Sequence, residues 1–321
     1  MFDKRSVAGD YDEFEQLLKR GTTMNNDEVR KRVDELSRNP NNSREEEQEL
    51  MEKLSFLIDA DKDYRAAEYL GGIYYEKRMY DQALKYYELA ESYGSKWAWN
   101  GLGYIWYYGR TGQVDYEKAF RYFSKMVEDG NYGSDFDRME ARLKIADMYK
   151  NGYYVEKNWN KYVQMIEELY EEVKDNYDTP RPEVFTRLAY IRTKQGRTEE
   201  AVELYLDAKR ELAERVSHNR FFGDLNRINW LENDLYKLIE FDQNNFDLYD
   251  LYYLLKEEHT VSFMIGSEKH EIESKKNGEE MKIRLDDKWY RNINDFFSQA
   301  VIDDYIIEAY YWDIEDFKII I

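Results

Sequence analysis

One five-residue pattern recurs four times along this 321-residue chain, and it constrains the fold more than any other feature. It reads Leu70-Gly71-Gly72-Ile73-Tyr74, Leu102-Gly103-Tyr104-Ile105-Trp106, Ile145-Ala146-Asp147-Met148-Tyr149 and Leu188-Ala189-Tyr190-Ile191-Arg192. Recurrence at roughly 30 to 45 residues is the mark of a stacked array rather than of a single globular core. Each copy opens on an apolar residue, continues with Gly or Ala, and returns to an apolar residue three positions later. On a helix, positions three and four apart share a face. Gly71, Gly103, Ala146 and Ala189 therefore leave room for a second helix to approach closely, with Tyr74, Trp106 and Tyr149 one turn further along. That second helix is written in Ala83-x-x-x-Tyr87-x-x-Ala90 after the first copy and in Ala201-x-x-x-Tyr205-x-x-Ala208 after the fourth. These i, i+4, i+7 positions make one stripe, small at the helix crossing and aromatic between.

The pattern resembles the tetratricopeptide repeat. The first copy carries Leu70, Gly71, Tyr74, Ala83, Tyr87 and Ala90 where that family places its signature residues, and the fourth carries Phe185, Leu188, Ala189, Gly196, Ala201, Tyr205 and Ala208. The second copy is similar to the longer Sel1 variant, with Leu102-Gly103-x-x-Trp106-x-x-Gly109 followed by Gly112-x-Val114-Asp115-x-x-Lys118-Ala119-x-x-Tyr122-Phe123. The third follows that frame through Tyr149, Gly152, Val155, Asn158 and Lys161-Tyr162, with Tyr162 where a small residue is usual. The resemblance covers about residues 62–212. It implies a mostly α fold, a right-handed α-solenoid of antiparallel helix pairs. Only 3 Pro and 16 Gly in the chain agree with helices over a turn-rich β fold.

Residues 1–61 read as an N-terminal helical cap, which a solenoid needs. Tyr11–Gly21 is a short amphipathic helix ending on glycine, Asp27–Leu36 and Glu45–Leu57 follow, and Ser43 with Glu46 three residues later makes a capping box. The repeat region is taken as 62–258, with one or two further helices over 218–258 that are dense in Tyr and Leu. After His259 the period changes. Val261–Ile265 reads as a strand. His270–Ser274 and Met281–Leu285 alternate apolar and polar residues around Asn277-Gly278, a strong hairpin signal. A helix over Ile293–Asp304 and a last strand over Phe317–Ile321 complete a small C-terminal α+β domain, residues 259–321.

Composition excludes several function classes. The chain has no cysteine, so disulfides, thiolate metal sites and Cys nucleophiles are out. Of the 3 histidines, His218, His259 and His270, none shows the spacing of a zinc site, and all three read as ordinary surface residues. Gly71-Gly72 is explained by helix packing rather than by a phosphate loop, and no serine elbow occurs. Acidic clusters such as Glu45–Glu47 and Asp286-Asp287 read as solvated faces. No catalytic residue, metal or cofactor is expected. The net charge of −20 repels nucleic-acid phosphate and favours basic partners. No apolar run is long enough for a membrane helix, and the first twenty residues carry no secretory signal, so a soluble cytoplasmic protein is expected.

Binding of another protein is the expected function. In helix-pair solenoids the first helix of each repeat lines the concave surface, and this too is what the resemblance implies. The groove candidates are then Tyr75 in the first copy, Trp97, Asn100, Tyr104, Tyr107 and Tyr108 in the second, Asp147, Lys150 and Asn151 in the third, and Tyr190, Thr193 and Lys194 in the fourth. Trp99 and Trp106 fall on the packing face and are expected in the core. Tyr and Trp are enriched at interface hot spots, and the groove suits a peptide or helix of a partner. The alternative is a regulatory or immunity-type bacterial protein whose C-terminal domain is the effector and whose solenoid is its sensor or holder. The terminal strand also offers an edge for dimerisation.

Overall fold

The computed structural model describes residues 25–39, 42–176, 179, 181–219, 222–244, 246–278, 280–302, 305–306 and 314–320. The predicted helix over Tyr11–Gly21 lies outside them, as do Pro40 and Asn41 of the predicted loop. The chain divides into two compact units, Met1–Tyr162 and Val163–Ile321.

The described residues of the first unit form helices and the turns between them. Helix α1 (Asn26–Ser37) starts at Asn25, whose side chain accepts from the Asp27 amide. Helix α2 (Arg44–Asp61) starts on the predicted capping box, with Ser43 and Glu46 reciprocally bonded, and runs a turn beyond the predicted end. Arg32 grips Glu49 with two nitrogens, at 2.8 and 3.0 Å, and so ties α1 to α2. Two helix pairs follow in the order the repeats dictate, α3 (Tyr64–Glu76) with α4 (Tyr80–Ser92) and α5 (Ala98–Tyr108) with α6 (Tyr116–Glu128); then come α7 (Asp135–Asn151) and the start of α8 (Trp159–Val173), which runs on into the second unit. Helices α5 and α7 end on Gly109 and Gly152, both left-handed, at φ 59° and 74°. A side chain is disfavoured there, which is why the longer repeats keep glycine at this point.

The small residues do the work the pattern assigns them. Tyr87 of α4 is clamped between two glycines. A Cβ added at Gly71 of α3 would lie 2.8 Å from its ring, and one at Gly101 of α5 would lie 2.4 Å from it. One aromatic thus locks its own repeat and the next. Gly103 plays the same part under Phe123 of α6, at 2.7 Å. Ala146 and Ala189 are fully buried in the later pairs. The stripe on α8 is Tyr162, Ile166 and Leu169, all fully buried. Where the other copies place Ala then an aromatic, this copy places a large residue first and a smaller one second. The bulk at Tyr162 is an exchange of volume within the stripe rather than a defect in it.

The second unit holds the rest of α8, then α9 (Arg181–Lys194) paired with α10 (Thr198–Asn219), then α11 (Phe222–Leu235). The fourth repeat packs as the pattern requires, with Leu188, Ala189, Ala201, Tyr205 and Ala208 buried. Before the sheet, the described residues add a 3-10 turn (Leu248–Asp250) and α12 (Leu251–Lys256). The C-terminal sheet is antiparallel, in the order β4-β3-β2-β1-β7. Its strands are β1 (Thr260–Ile265), β2 (Glu268–Asn277), β3 (Glu280–Leu285), β4 (Lys288–Tyr290) and β7 (Ile314–Ile320). The hairpin pairs Ile272 with Leu285 and Asn277 with Glu280, as the Asn-Gly signal requires. Helix α13 (Ile293–Gln299) is shorter than predicted. Ala300 turns extended at φ −70°, ψ 122°, and β5 (Val301–Ile302) pairs with β6 (Tyr305–Ile306). The strand β4 was not predicted; three residues are too few to show a period. Val261, Phe263, Ile272, Ile283, Leu285 and Phe296 form one core with Leu251, Leu254 and Leu255 of α12.

A tyrosine and cation face on the first unit

Tyr104 and Tyr108 are one helical turn apart on α5, so their rings stack, 5.9 Å apart and 6° from parallel. Tyr107 stands edge-on to Tyr108 at 5.0 Å. Lys144 of α7 places its ammonium over all three rings, at 5.4, 5.4 and 5.3 Å. It also donates to the Tyr108 hydroxyl at 2.9 Å. Toward the N-terminal side, the Arg110 guanidinium lies 5.0 Å from the Tyr108 ring and 5.4 Å from the Tyr80 ring. Tyr80 in turn meets Tyr75 edge-on at 5.3 Å. The result is a continuous chain of tyrosines and cations running from α3 to α7. Partial burial raises the hydroxyl of Tyr75 above the usual tyrosine range.

The residues of this chain differ in how much surface they offer. Tyr108 is 46% exposed. Tyr104 and Tyr107 are half-buried, and both rings touch Phe123 of α6, at 5.6 and 6.0 Å. They pack against the second helix of their own pair as well as bordering the face. Tyr104 donates to Glu140 at 3.2 Å. Tyr107 also touches Tyr116 and Tyr153, which stack on each other at 4.1 Å. Lys144, Arg110 and Tyr153 belong to the face but were not among the sequence candidates. Lys144 sits on a helix that the repeat pattern assigns to the next copy. Arg110 and Tyr153 each follow a helix-ending glycine, where helical periodicity has stopped.

The other candidates fall into separate groups. Trp97 precedes α5, is 53% exposed, and leans on Tyr132 of the inserted Asp129–Ser134 loop at 5.6 Å. Asn100 is half-buried on the first turn of α5. At the end of α7, Asn151 donates to the Asp147 carbonyl at 2.8 Å and the Lys150 ammonium sits 5.5 Å from the Tyr162 ring. Tyr190, Thr193 and Lys194 lie in the second unit at the end of α9. There Lys194 covers the Tyr190 ring at 5.4 Å, and Thr193 donates to the Ala189 carbonyl.

Two expectations need correction. Trp99 and Trp106 are half-buried rather than core. Lysines cap them: Lys118 lies 3.8 Å from the Trp106 ring and Lys125 lies 5.2 Å from Trp99. Glu91 completes that second arrangement, accepting from Trp99 at 3.1 Å, Tyr122 at 2.8 Å and Lys125 at 2.7 Å. Burial works to raise its pKa, but these hydrogen bonds win and hold the carboxyl below its usual range. The second correction concerns His270, which is buried, with 8% exposure, and is bonded through Nδ1 to Asp286 at 2.9 Å. Its neighbours in sequence are glutamates, which suggested a solvated edge. The strand instead turns it onto the core face opposite Phe263. Among the described residues, no three His, Asp or Glu converge to hold a metal ion, and no helix is long and apolar enough to cross a membrane.

No protein-family model and no curated protein matches this chain. Among solved structures it is similar to a Sel1 repeat protein from Oxalobacter formigenes, at 16% identity over 71% of this chain and 82% of that one, with a TM-score of 0.42. It is also similar to a protective antigen present in uropathogenic Escherichia coli strains and displaying an SLR fold, at 20% identity over 64% of this chain and 48% of that one, with a TM-score of 0.28. Superpositions this loose add no weight of their own. The repeat geometry shows the fold: helix pairs with Gly under an aromatic of the adjacent helix, and left-handed glycines closing the longer repeats, make this chain an array of helix pairs with a small antiparallel C-terminal sheet, the architecture that its resemblance to tetratricopeptide and Sel1 repeats implies.

Proposed function

We propose that the chain is a cytoplasmic protein-interaction scaffold, and that a peptide or helix of a partner protein docks on the face built from Tyr75, Tyr104, Tyr107 and Tyr108. The observation that supports this best is the run of tyrosines held in place by Arg110 and Lys144. Rings already ordered by stacking and cation contacts lose little freedom on binding, which favours them as hot spots. Trp97, Asn100, Asp147, Lys150 and Asn151 extend the surface within the first unit, and Tyr190, Thr193 and Lys194 offer a separate surface in the second. The net charge of −20 draws basic partners from a distance. Binding rather than catalysis is the role these residues fit.

A second reading makes the C-terminal sheet the effector, as in a regulatory or immunity-type protein, with the helix pairs as its sensor or holder. The hydrogen bond that joins the buried His270 to Asp286 at the edge of the sheet favours it. Capture from host lysate separates the two readings. A partner held by the full chain and lost on Trp97→Ala with Tyr108→Ala supports the docking face. A partner indifferent to those changes but lost on His270→Gln moves the function to the sheet.

A further inference from the structure

An open pocket of about 590 Å³ lies between the C-terminal sheet and β5, lined by His270, Leu285, Asp286, Asp287, Tyr290 and Ile302 among others. That volume is in the range of small-molecule sites. The turn between β3 and β4 builds its rim. Asp286 stands in the left-handed region at φ 49°, an unfavourable place for a residue with a side chain. Four contacts hold it there. Its amide donates to the Glu271 carbonyl, its carbonyl accepts from Arg284, and its carboxylate accepts from the Glu271 amide at 2.9 Å and bonds His270 Nδ1 at 2.9 Å. The pinned turn fixes the imidazole. In the tautomer that donates from Nδ1 to the carboxylate, the lone pair lies on Nε2, which has no partner among the described residues.

A second group in the lining also lacks a partner. Tyr290 is 3% exposed, and its hydroxyl makes no hydrogen bond. Buried polar groups are nearly always paired, so an orphan at a cavity wall points to something that enters the cavity. Leu285 from β3, Trp289 from β4, and Val301 and Ile302 from β5 give the pocket an apolar part beside its polar one. At the rim Asp286 and Asp287 outnumber Lys288, whose ammonium already lies 5.1 Å from the Tyr290 ring. The chain's negative charge concentrates cations around it.

We infer that this cavity binds a small organic cation, an apolar body carrying a primary ammonium group. The ammonium donates to His270 Nε2 and Asp287, the apolar body lies against Leu285, Val301 and Ile302, and the Tyr290 hydroxyl gains a partner from the ligand. This site is separate from the tyrosine face, and neither reading depends on the other.

Benzylamine is the probe, with benzyl alcohol as its neutral analogue and benzoate as the anionic one. Titration of the ¹⁵N-labelled full chain is followed at the His270 ring nitrogens, assigned by His270→Gln. Benzylamine should shift His270 saturably, and benzyl alcohol should bind about tenfold more weakly, because a charged hydrogen bond is lost. Tyr290→Phe keeps the buried ring and removes only the orphan hydroxyl, and Asp287→Asn alters an exposed turn residue, so both should fold and both should weaken benzylamine. Tyr290→Phe should leave the melting temperature unchanged or raise it. The inference is overturned by no saturable shift, by equal response to all three probes, or by unchanged benzylamine affinity in both variants.

Discussion

Gly101→Ala puts the stacking of the repeats to a quantitative test. In an exposed helix, replacing Gly by Ala stabilises by about 1 kcal/mol. Here the new Cβ would lie 2.4 Å from Tyr87 Cε2, 2.5 Å from Cζ and 2.8 Å from Cδ2. The ring cannot retreat, because the backbone of Gly71 holds its opposite side, where a Cβ would lie 2.8 Å from Cδ1. Forced repacking of this kind costs about 1–3 kcal/mol, and a ring clamped along both edges belongs at the upper end. Subtracting the helix gain leaves a net loss of about 2 kcal/mol. For a unit of this size that lowers the melting temperature by about 4–8 °C. Gly72→Ala is the internal control: its Cβ would meet only the Tyr87 hydroxyl, at 3.8 Å, so it should be neutral or stabilising. Thermal melts of the full chain by circular dichroism read both variants. Repeating Gly101→Ala in a Tyr87→Leu background should shrink its cost, since the two sites are coupled. A Gly101→Ala protein as stable as the parent, or an undiminished cost beside Leu at position 87, would refute this packing.

Glu91→Ala should destabilise by about 1–3 kcal/mol, because Trp99, Tyr122 and Lys125 lose a shared acceptor; urea unfolding followed by tryptophan fluorescence measures it. The Glu91 carboxyl is held below 4.5 in the folded state, so its stabilisation is present above that value and is lost as the pH falls below it. Glu232 behaves in the opposite sense. It is fully buried between Lys209, at 3.0 Å, and Asp250, and burial raises its pKa well above 4.5. The folded state then holds a proton that the unfolded chain releases, so stability falls as the pH rises above 4.5 toward that raised value. Glu232→Gln should flatten this decline in melts taken from pH 5 to pH 9, a window chosen from the direction of the shift; an unchanged slope would assign the pH dependence elsewhere.

The helix pairs were legible because a glycine or alanine facing an aromatic is a local pattern with one steric meaning. Ser43 with Glu46 and Asn277 with Gly278 were legible for the same reason. Less could be read where the partner comes from a different repeat. Tyr87 belongs to the first stripe, yet its tightest contact is with Gly101 of the next pair. Lys144 reaches across from α7 to three rings on α5, a contact that no spacing within one helix reveals. Helical phase alone places Trp99 and Trp106 in the core, but the ammonium groups of Lys118 and Lys125 over their rings let them stay at the surface. His270 shows the reverse. Its glutamate neighbours suggested solvent, while strand alternation and the Asp286 turn bury it.

The docking face is tested most directly by photo-cross-linking in host cells. A benzophenone amino acid replaces Tyr108 in one protein and Trp230, which is 72% exposed in the second unit, in another. The expected result is an adduct from position 108 to one segment of one partner protein, with none from position 230. Adducts from position 230 alone, or the same set of proteins from both positions, would contradict a partner docked on the tyrosine face.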